Sequence, residues 1–353
     1  MALELGLNLG YWGIGPEGEE AVELTRAAER AGFDSVWVAE AYGSDIVSVL
    51  AWLAPQTTTI KLGAAVMQVP ARPPAAAAMA GATIDRLSGG RFIFGFGPSG
   101  PQVSEGWYGV PYPKPWGRTR EYVEVVREIL SRKGPLEHHG THYELPLPGG
   151  EGKALKLGFH PLRNEIPVFL GAIGRRSVEI AAEIGDGWIP AFFSVEDFEE
   201  IWGEHIEAGL ARGGRDRSAL EISPTLQVAI DGDTEAALAV VKAGLLLYLG
   251  GMGSRRTNFY VELAHRYGFG EVADEVQRLY QDGDRAAAYA AVSDDLAHAT
   301  SLIGTEAEVA ERIARFQASG VDRLIAWPAH TERADRLHTI ERLAAMAGVA
   351  APA

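Results

Sequence analysis

Short, nearly continuous apolar runs alternate along the chain with longer stretches in which apolar residues recur every three or four positions. The runs have the character of strands buried on both faces, and the stretches that of helices with one inward stripe. Leu3 to Gly10 predicts a strand, followed by a helix from Glu17 to Ala31 with Ala21, Leu24, Ala28 and Ala31 on one face and Gly32 as its stop. Ser35 to Glu40 (SVWVAE) predicts a second strand and Ile46 to Ala54 a second helix. Ile60 to Met67 (IKLGAAVM) is the third strand, and Pro74 to Leu87 an Ala-rich helix opened by prolines. Arg91 to Gly97 is the fourth strand, and Trp116 to Arg132 a helix striped by Tyr122, Val125, Val126, Ile129 and Leu130.

Residues 133–165 break this rhythm with Gly, Pro and His and read as an inserted hairpin or loop. It resumes with PVFLGA (167–172), a helix from Arg175 to Ile184, GWIPAF (187–192) and a helix over Val195 to Arg212. Glu221 to Ile230 is a seventh strand, followed by a helix from Thr234 to about Tyr248 and a mostly helical insertion over 250–302. A helix from Glu306 to Ala318, the strand RLIAWP (323–328) and a terminal helix from Arg333 to Ala347 end the chain. Eight strands with intervening helices predict an α/β architecture, a parallel (β/α)8 TIM barrel in one domain over 1–353 carrying two insertions. Chemistry in such a barrel sits at the strand C-termini, so Tyr11, Glu40, Met67, Gly97, Ala172, Ile189 and Trp327 share one rim.

Gly95, Gly97 and Gly100 stand in a G-x-G-x-x-G frame behind an apolar run. A dinucleotide-binding turn also needs a helix next and an acidic residue ending a second strand roughly 20 positions on. Pro98, Pro101, Gly106, Gly109, Pro111, Pro113 and Pro115 argue against the helix, and Glu121 lies in a helical pattern. The motif reduces to a glycine-rich loop after a buried strand.

Composition acts mainly by exclusion. The net charge of −15 over 353 residues weighs against nucleic acid or an anionic membrane as partner. Cys is absent, which removes disulfides, thiolate metal ligands and a cysteine nucleophile. MALELGLNLGYW lacks the basic segment and apolar core of a signal peptide, and no stretch reads as a span of about 20 apolar residues. A cytoplasmic protein acting on a small molecule is expected. His138, His139 and His142 have metal-like spacing, but in a polar insertion they read as a solvated loop, and no metal is expected. Trp107, Tyr108, Trp116 and Trp188 are candidates for an apolar pocket, and Arg72 and Arg91 for tying loops to the rim.

FDSVWVAE, KLGAAV, the spacing of Arg72 to Ala76, LSGGRFIFGFG and EIGDGWIP resemble the bacterial-luciferase-like flavin and deazaflavin oxidoreductases. SGPQVSEGW, LGGMGSRRTNFY and VQRLY narrow the resemblance to the coenzyme F420-dependent subgroup found mainly in actinobacteria, over about residues 3 to 330. The resemblance implies a barrel that lays a deazaflavin ring across its strand C-termini, and oligomers of at least two chains. It implies a bulge with a non-prolyl cis peptide at Ala65–Val66, and a cofactor-facing acidic position at Glu40. Gly97, Pro98, Ser99 and Gly100 match the loop under the cofactor, and Ala172, Ile173 and Gly174 the stretch against its ribityl chain and phosphate. Arg175, Arg176, Arg255 and Arg256 remain to meet the phosphate and glutamate tail.

Departures matter too. Ala41 stands where the family's sugar-phosphate dehydrogenases have a histidine, Gly100 where they have a glutamate, and Pro190–Ala191–Phe192–Phe193 where they have phosphate contacts. A sugar phosphate is therefore not the expected substrate. The proton donor is sought among Glu40, Tyr42, Glu105 and His330. The expected activity is F420-dependent hydride transfer to or from a small organic substrate. The alternatives are an FMN-dependent monooxygenase on the same barrel and a non-catalytic F420-binding protein, with a barrel enzyme for a phosphorylated ligand behind them.

Overall fold

The computed structural model describes residues 3–252 and 258–349. Eleven strands form one parallel sheet. They are β1 (Glu4–Asn8), β2 (Ser35–Val38), β3 (Lys61–Ala64), β4 (Met67–Gln68) and β5 (Phe92–Gly97), then β8 (Val168–Leu170), β9 (Gly187–Trp188), β10 (Glu221–Ile222), β11 (Thr225–Ile230), β12 (Ser301–Gly304) and β13 (Arg323–Pro328). The remaining pair, β6 (His138–His139) and β7 (Glu144–Leu145), is an antiparallel hairpin inside 133–165.

Pairing runs β10-β9-β8-β5-β3-β2-β1-β13-β11-β12, with β4 beside β5. The circle closes because β10 and β11 are halves of one chain segment, interrupted where Pro224 has no N–H to give. On one side Ser223 donates its N–H to the Trp188 carbonyl (2.9 Å), and on the other Ile325 donates to the Pro224 carbonyl (2.8 Å). Thr225 bridges to Ala191 and pairs with Ile325.

Alternation along the strands divides the core. Trp37, Ile93, Phe169, Ile189 and Ile325 point inward and form a cluster of their own, with Ala65 and Val66 packed on it. Trp37 and Phe169 meet at 5.5 Å between ring centroids. A Cβ at Gly63 would stand 2.2 Å from the Trp37 ring, so the neighbouring strand must be bare there. The alternate residues, among them Val36, Phe94 and Val228, pack under the helices.

Around the barrel lie α1 (Gly18–Arg30), α2 (Ile46–Leu53), α3 (Pro74–Leu87), α4 (Pro101–Gly106), α5 (Pro115–Ser131), α6 (Arg175–Ile184) and α7 (Phe198–Gly213). Next come α8 (Thr234–Leu246), α9 (Phe259–Arg266), α10 (Gly270–Gln281), α11 (Arg285–Ala291), α12 (Asp294–Thr300), α13 (Glu306–Ala318) and α14 (Arg333–Ala347). Several begin where a side chain takes a free backbone donor: Asp45 accepts the Ser48 N–H (2.7 Å) ahead of α2, and Thr305 and Glu308 form a capping box on α13.

Three expectations are corrected. The prolines after Gly97 do not exclude a helix: α4 forms with Pro101 in its first turn, where a missing N–H costs nothing. The insertion at 250–302 does not stay helical to its end, because Ser301 begins β12, which pairs with the upper part of β11 (Gln227↔Ser301, Ile230↔Gly304). One stretch, Thr234–Gly251, does meet the length and composition of a membrane span; here it is α8 and a π turn (Leu247–Gly251), packed on β11 and β12. At the barrel's N-terminal face Arg323, fully buried, pairs with Glu4 (2.5 Å), Asp34 (2.7 Å) and Glu221, tying four strands together.

Candidate functional site

β3 ends at Ala64, the Ala65–Val66 peptide is cis, and β4 resumes the ladder against β5. The bulge thus stands where the family resemblance places it. It seats the Val66 side chain between two bare strand ends. A Cβ at Gly97 would lie 2.7 Å from Val66 Cγ2, and one at Gly171 2.9 Å from Val66 Cγ1. The result is a low, flat wall of backbone on this half of the mouth.

A connected polar network backs that wall. The Gln68 N–H donates to Glu40 Oε2 (3.0 Å), and the Gln68 amide donates to Ser99 Oγ (2.9 Å). The Tyr108 hydroxyl donates to Gln68 Oε1 (3.1 Å), and the Tyr112 hydroxyl to the Ser99 carbonyl (3.1 Å). Ser99 has a φ of 62°, a conformation non-glycine residues seldom adopt outside sites that use it. Glu40 is held bidentately by Arg72 (3.0 and 2.5 Å), and its side chain is only 5% exposed. Burial alone would depress the Arg72 pKa, but the Glu40 hydrogen bonds and charge outweigh it and hold it above the ordinary value. Glu40 is therefore an anchored anion. Arg72 ties the rim as expected, whereas Arg91 lies at the opposite face, donating to the Ala54, Thr57 and Ile60 carbonyls.

β8 leads through Ala172, Ile173 and Gly174 into α6. The Ser177 hydroxyl accepts the Gly174 N–H (2.9 Å) and donates to its carbonyl (2.7 Å), fixing this helix start. Arg175 and Arg176 are exposed there. Arg266, on α9, reaches the same place: its guanidinium donates to the Ile173 carbonyl (3.4 Å) and lies over the Trp202 ring. Burial, and then the nearby Arg175 charge, lower its pKa. Neither Arg175 nor Arg266 forms an ion pair with a carboxylate among the described residues, although the Glu262 charge partly offsets the other effects on Arg266, and the helix N-terminus between them adds its own positive end. Sequence reasoning missed Arg266, since nothing local marks a helix that the fold brings back from the insertion. Arg255 and Arg256 lie outside the described residues.

The other half of the mouth is aromatic. Phe192, Tyr248, Tyr260 and Trp327 surround a small cavity of about 30 Å³, floored by Thr225 and Gln227. Tyr248 stands edge-on to Tyr260 (4.8 Å) and to Trp327 (6.4 Å), and Phe192 to Tyr260 (6.1 Å). Burial pushes the Tyr260 phenol up to about 12 and Tyr248 well above its ordinary value, so both are neutral donors at physiological pH. Tyr11 is raised by burial and by Tyr42.

This aromatic set differs from the expected one. Trp188 is fully buried beneath the sheet, donating to the Ala172 carbonyl (2.8 Å), and Trp116 packs on the core. Trp107 is 66% exposed, and Tyr108 belongs to the Glu40 network. The structure brings together Glu40, Ala65, Val66 and Gly97 to Gly100. It leaves Glu105 exposed on α4, accepting the Tyr112 N–H (3.2 Å), and Tyr42 is 57% exposed. Half-buried His330 follows β13, and its carbonyl accepts from Arg336 (2.9 Å). His139 pairs with Glu144 in the hairpin, and no cluster of three potential metal ligands occurs among the described residues.

A family model described as luciferase-like monooxygenase matches residues 9–323. Over 329 residues, 92% of this chain and 94% of the relative, the sequence is 46% identical to a Mycobacterium tuberculosis protein named "Putative coenzyme F420-dependent oxidoreductase". It is 31% identical to the 5,10-methylenetetrahydromethanopterin reductase of Archaeoglobus fulgidus, over 85% of this chain and 87% of that one. The coenzyme F420-dependent tetrahydromethanopterin reductase of Methanopyrus kandleri superposes with a TM-score of 0.81 at 25% identity, covering 98% of each chain.

Proposed function

The chain belongs to the luciferase-like monooxygenase family, and from its likeness to F420-dependent relatives within it we infer that it is a coenzyme F420-dependent oxidoreductase acting on a small organic substrate. The observation that carries this reading is the bare wall around Val66, facing an aromatic chamber across the mouth. One surface suits a flat ring and the other a substrate laid against it. The residues present fit the cofactor: the Arg175 and Arg266 cations lie close enough to act on each other at the α6 N-terminus, where an anionic tail would end. F420, when bound, supplies the hydride chemistry at its C5.

The chain's own residues then have separable tasks. Ala65 and Val66 with Gly97, Pro98, Ser99 and Gly100 form the surface that positions the ring. Ala172, Ile173 and Gly174 receive the ribityl chain, and Arg175 and Arg176, joined by Arg266 and by Arg255 and Arg256, hold the phosphate and tail. Glu40, fixed by Arg72 and the Gln68 N–H, presents a stationary charge to the ring's edge. The aromatic side chains opposite exclude water from the space between. Proton donation is assigned between Glu105 and His330 by single substitution, since the Arg72 ion pair leaves Glu40 to act through its charge. Changing the true donor lowers kcat by about 10²–10⁴-fold and leaves cofactor affinity in place.

The reading extends to a cytoplasmic, actinobacterial protein that assembles as a dimer or larger homo-oligomer, without nucleic-acid or membrane partners. A mycobacterial relative and the net charge of −15 support it, as do Met79 and Leu87, exposed apolar side chains on α3. The test is a tryptophan-fluorescence titration with F420 and separately with FMN, followed by oxidation of the reduced cofactor with a carbonyl panel. Saturable F420 binding with turnover is expected. Preferred FMN binding with oxygen uptake would make the chain a monooxygenase, and tight F420 binding with no turnover on any carbonyl a cofactor carrier.

A further inference from the structure

Gln227 is the one amide in the apolar run Thr225–Ile230, TLQVAI. It pairs in register with Trp327, which shares the inward parity of Ile325, so both side chains face into the barrel mouth. The residue is only 9% exposed. Its side-chain amide makes no hydrogen bond to any described residue, and its oxygen and nitrogen are not fully enclosed but open onto the cavity beside it. Room for it is reserved: a Cβ at Gly244 on α8 would fall 2.1 Å from Gln227 Oε1, so α8 is bare where it crosses the amide. The amide borders the cavity of about 30 Å³ beneath Tyr248, Tyr260 and Trp327, with Thr225 beside it. That volume exceeds what one water molecule needs, so the chamber has room for a small polar group beside the amide. No charged side chain lines it among the described residues.

We propose that Gln227 is the specificity-determining residue of the substrate site. Its amide binds the oxygen of an uncharged carbonyl or alcohol, whose apolar body lies outward in the mouth among the aromatic side chains. The assignment rests on the oxidoreductase reading and narrows its substrate class. Nε2 donates to a carbonyl oxygen; for an alcohol, Oε1 also accepts the hydroxyl proton. A carboxylate or phosphate is disfavoured, because none of the described residues lining the chamber is a cation that would offset its desolvation. A hydrocarbon of the same shape is disfavoured, since it leaves the amide buried and unpaired.

The test uses cyclohexanone, methylenecyclohexane (the same shape with the oxygen replaced by carbon) and oxocyclohexanecarboxylate. Binding of each is measured by calorimetry, both on the protein loaded with oxidised F420 and on the cofactor-free protein, with F420 affinity measured separately. The wild-type protein should bind the ketone about tenfold more tightly than the hydrocarbon and should not bind the carboxylate. Gln227→Met, which keeps the volume, should lose that tenfold preference while retaining its melting temperature and F420 affinity. Gly244→Ala, which displaces the amide from above, should lose it as well. The proposal is overturned if Gln227→Met keeps the preference, if the carboxylate binds as well as the ketone, or if the wild-type protein binds no ketone. Failure of F420 to bind while the ketone preference persists would remove the cofactor reading and leave the chamber assignment standing.

Discussion

Replacing Arg323 by methionine tests how the barrel is held shut at the end away from the site. The methionine keeps much of the volume, so the perturbation is chiefly loss of a cation shared by Glu4, Asp34 and Glu221. Removing one partner of a fully buried ion pair costs about 3–5 kcal/mol. The three carboxylates are 44%, 22% and 29% exposed and keep access to water, so the lower end, about 3 kcal/mol, applies. Spread over 353 residues, at about 2.1 cal/mol/K of unfolding entropy per residue, that lowers Tm by about 4 °C. The pH dependence is the sharper criterion. Burial works to raise the Asp34 pKa, but Arg323 and Lys61 outweigh it and hold it below its ordinary value. A carboxyl depressed by folding contributes stability that is complete above its unfolded pKa and disappears as pH falls through the folded one. Glu221 is raised because burial wins over Arg323, and it costs stability at neutral pH. Without Arg323 the Asp34 contribution is lost and the Glu221 cost grows. The deficit should therefore be largest at pH 7–8; its Glu221 part shrinks as pH falls toward 4.5, and its Asp34 part only as pH falls below 3.8. Scanning calorimetry of both proteins at pH 8, 7 and 5 measures it. A Tm loss below about 1 °C at pH 7, or a deficit that is still undiminished when the comparison is carried down to about pH 3.5, refutes the reasoning.

Other consequences can be checked independently. Arg72→Met leaves the Glu40 carboxylate buried without its cation and should cost about 3 kcal/mol in urea unfolding, part of it recovered in the double variant with Glu40→Gln. If the double variant is no better than the single one, the pair is not the source of the loss. Arg266→Gln should weaken F420 binding about five- to tenfold while leaving unchanged the binding of a deazaflavin that lacks the phosphate and tail. Equal losses for both ligands would take Arg266 out of the phosphate site. Gly63→Ala drives a methyl to 2.2 Å from the Trp37 ring and should cost about 1–3 kcal/mol by overpacking. Wild-type stability in that variant would mean the barrel interior is looser than the Trp37–Phe169 contact indicates.

The barrel was legible because both-faces-buried strands and one-faced helices leave different apolar periods, and proline, glycine and capping residues mark the joints. Pro74–Leu87, Arg175–Ile184, Glu306–Ala318 and Arg333–Ala347 fall where those signals put them. β12 was not legible, since SLIG follows α12 with no turn residue between them. α4 was hidden by reading each proline as a breaker without asking whether it fell in a first turn. The Val66 bulge and the Gly97 position came from resemblance, and the structure supplies the packing reason for them and adds Gly171. The aromatic chamber could not be assembled from sequence spacing, because Tyr248 and Tyr260 reach Trp327 only when the insertion folds back. One local sign did exist: a lone glutamine at an inward position of an otherwise apolar strand.

The return of the insertion along β12 has an architectural consequence. The chain leaves the barrel after Ile230 and rejoins it beside the same strand, at Ser301↔Gln227, so the ends of everything between are neighbours. A segment whose ends already touch can be lengthened, shortened or exchanged at a closure cost that grows only logarithmically with its length. The insertion therefore lends the mouth Tyr248 and Tyr260 as a replaceable cassette, plugged into a scaffold that itself supplies Phe192, Gln227, Trp327 and the Val66 wall. Exchanging it would reshape one side of the cavity while the strands that carry Gln227 and Trp327 stay as they are.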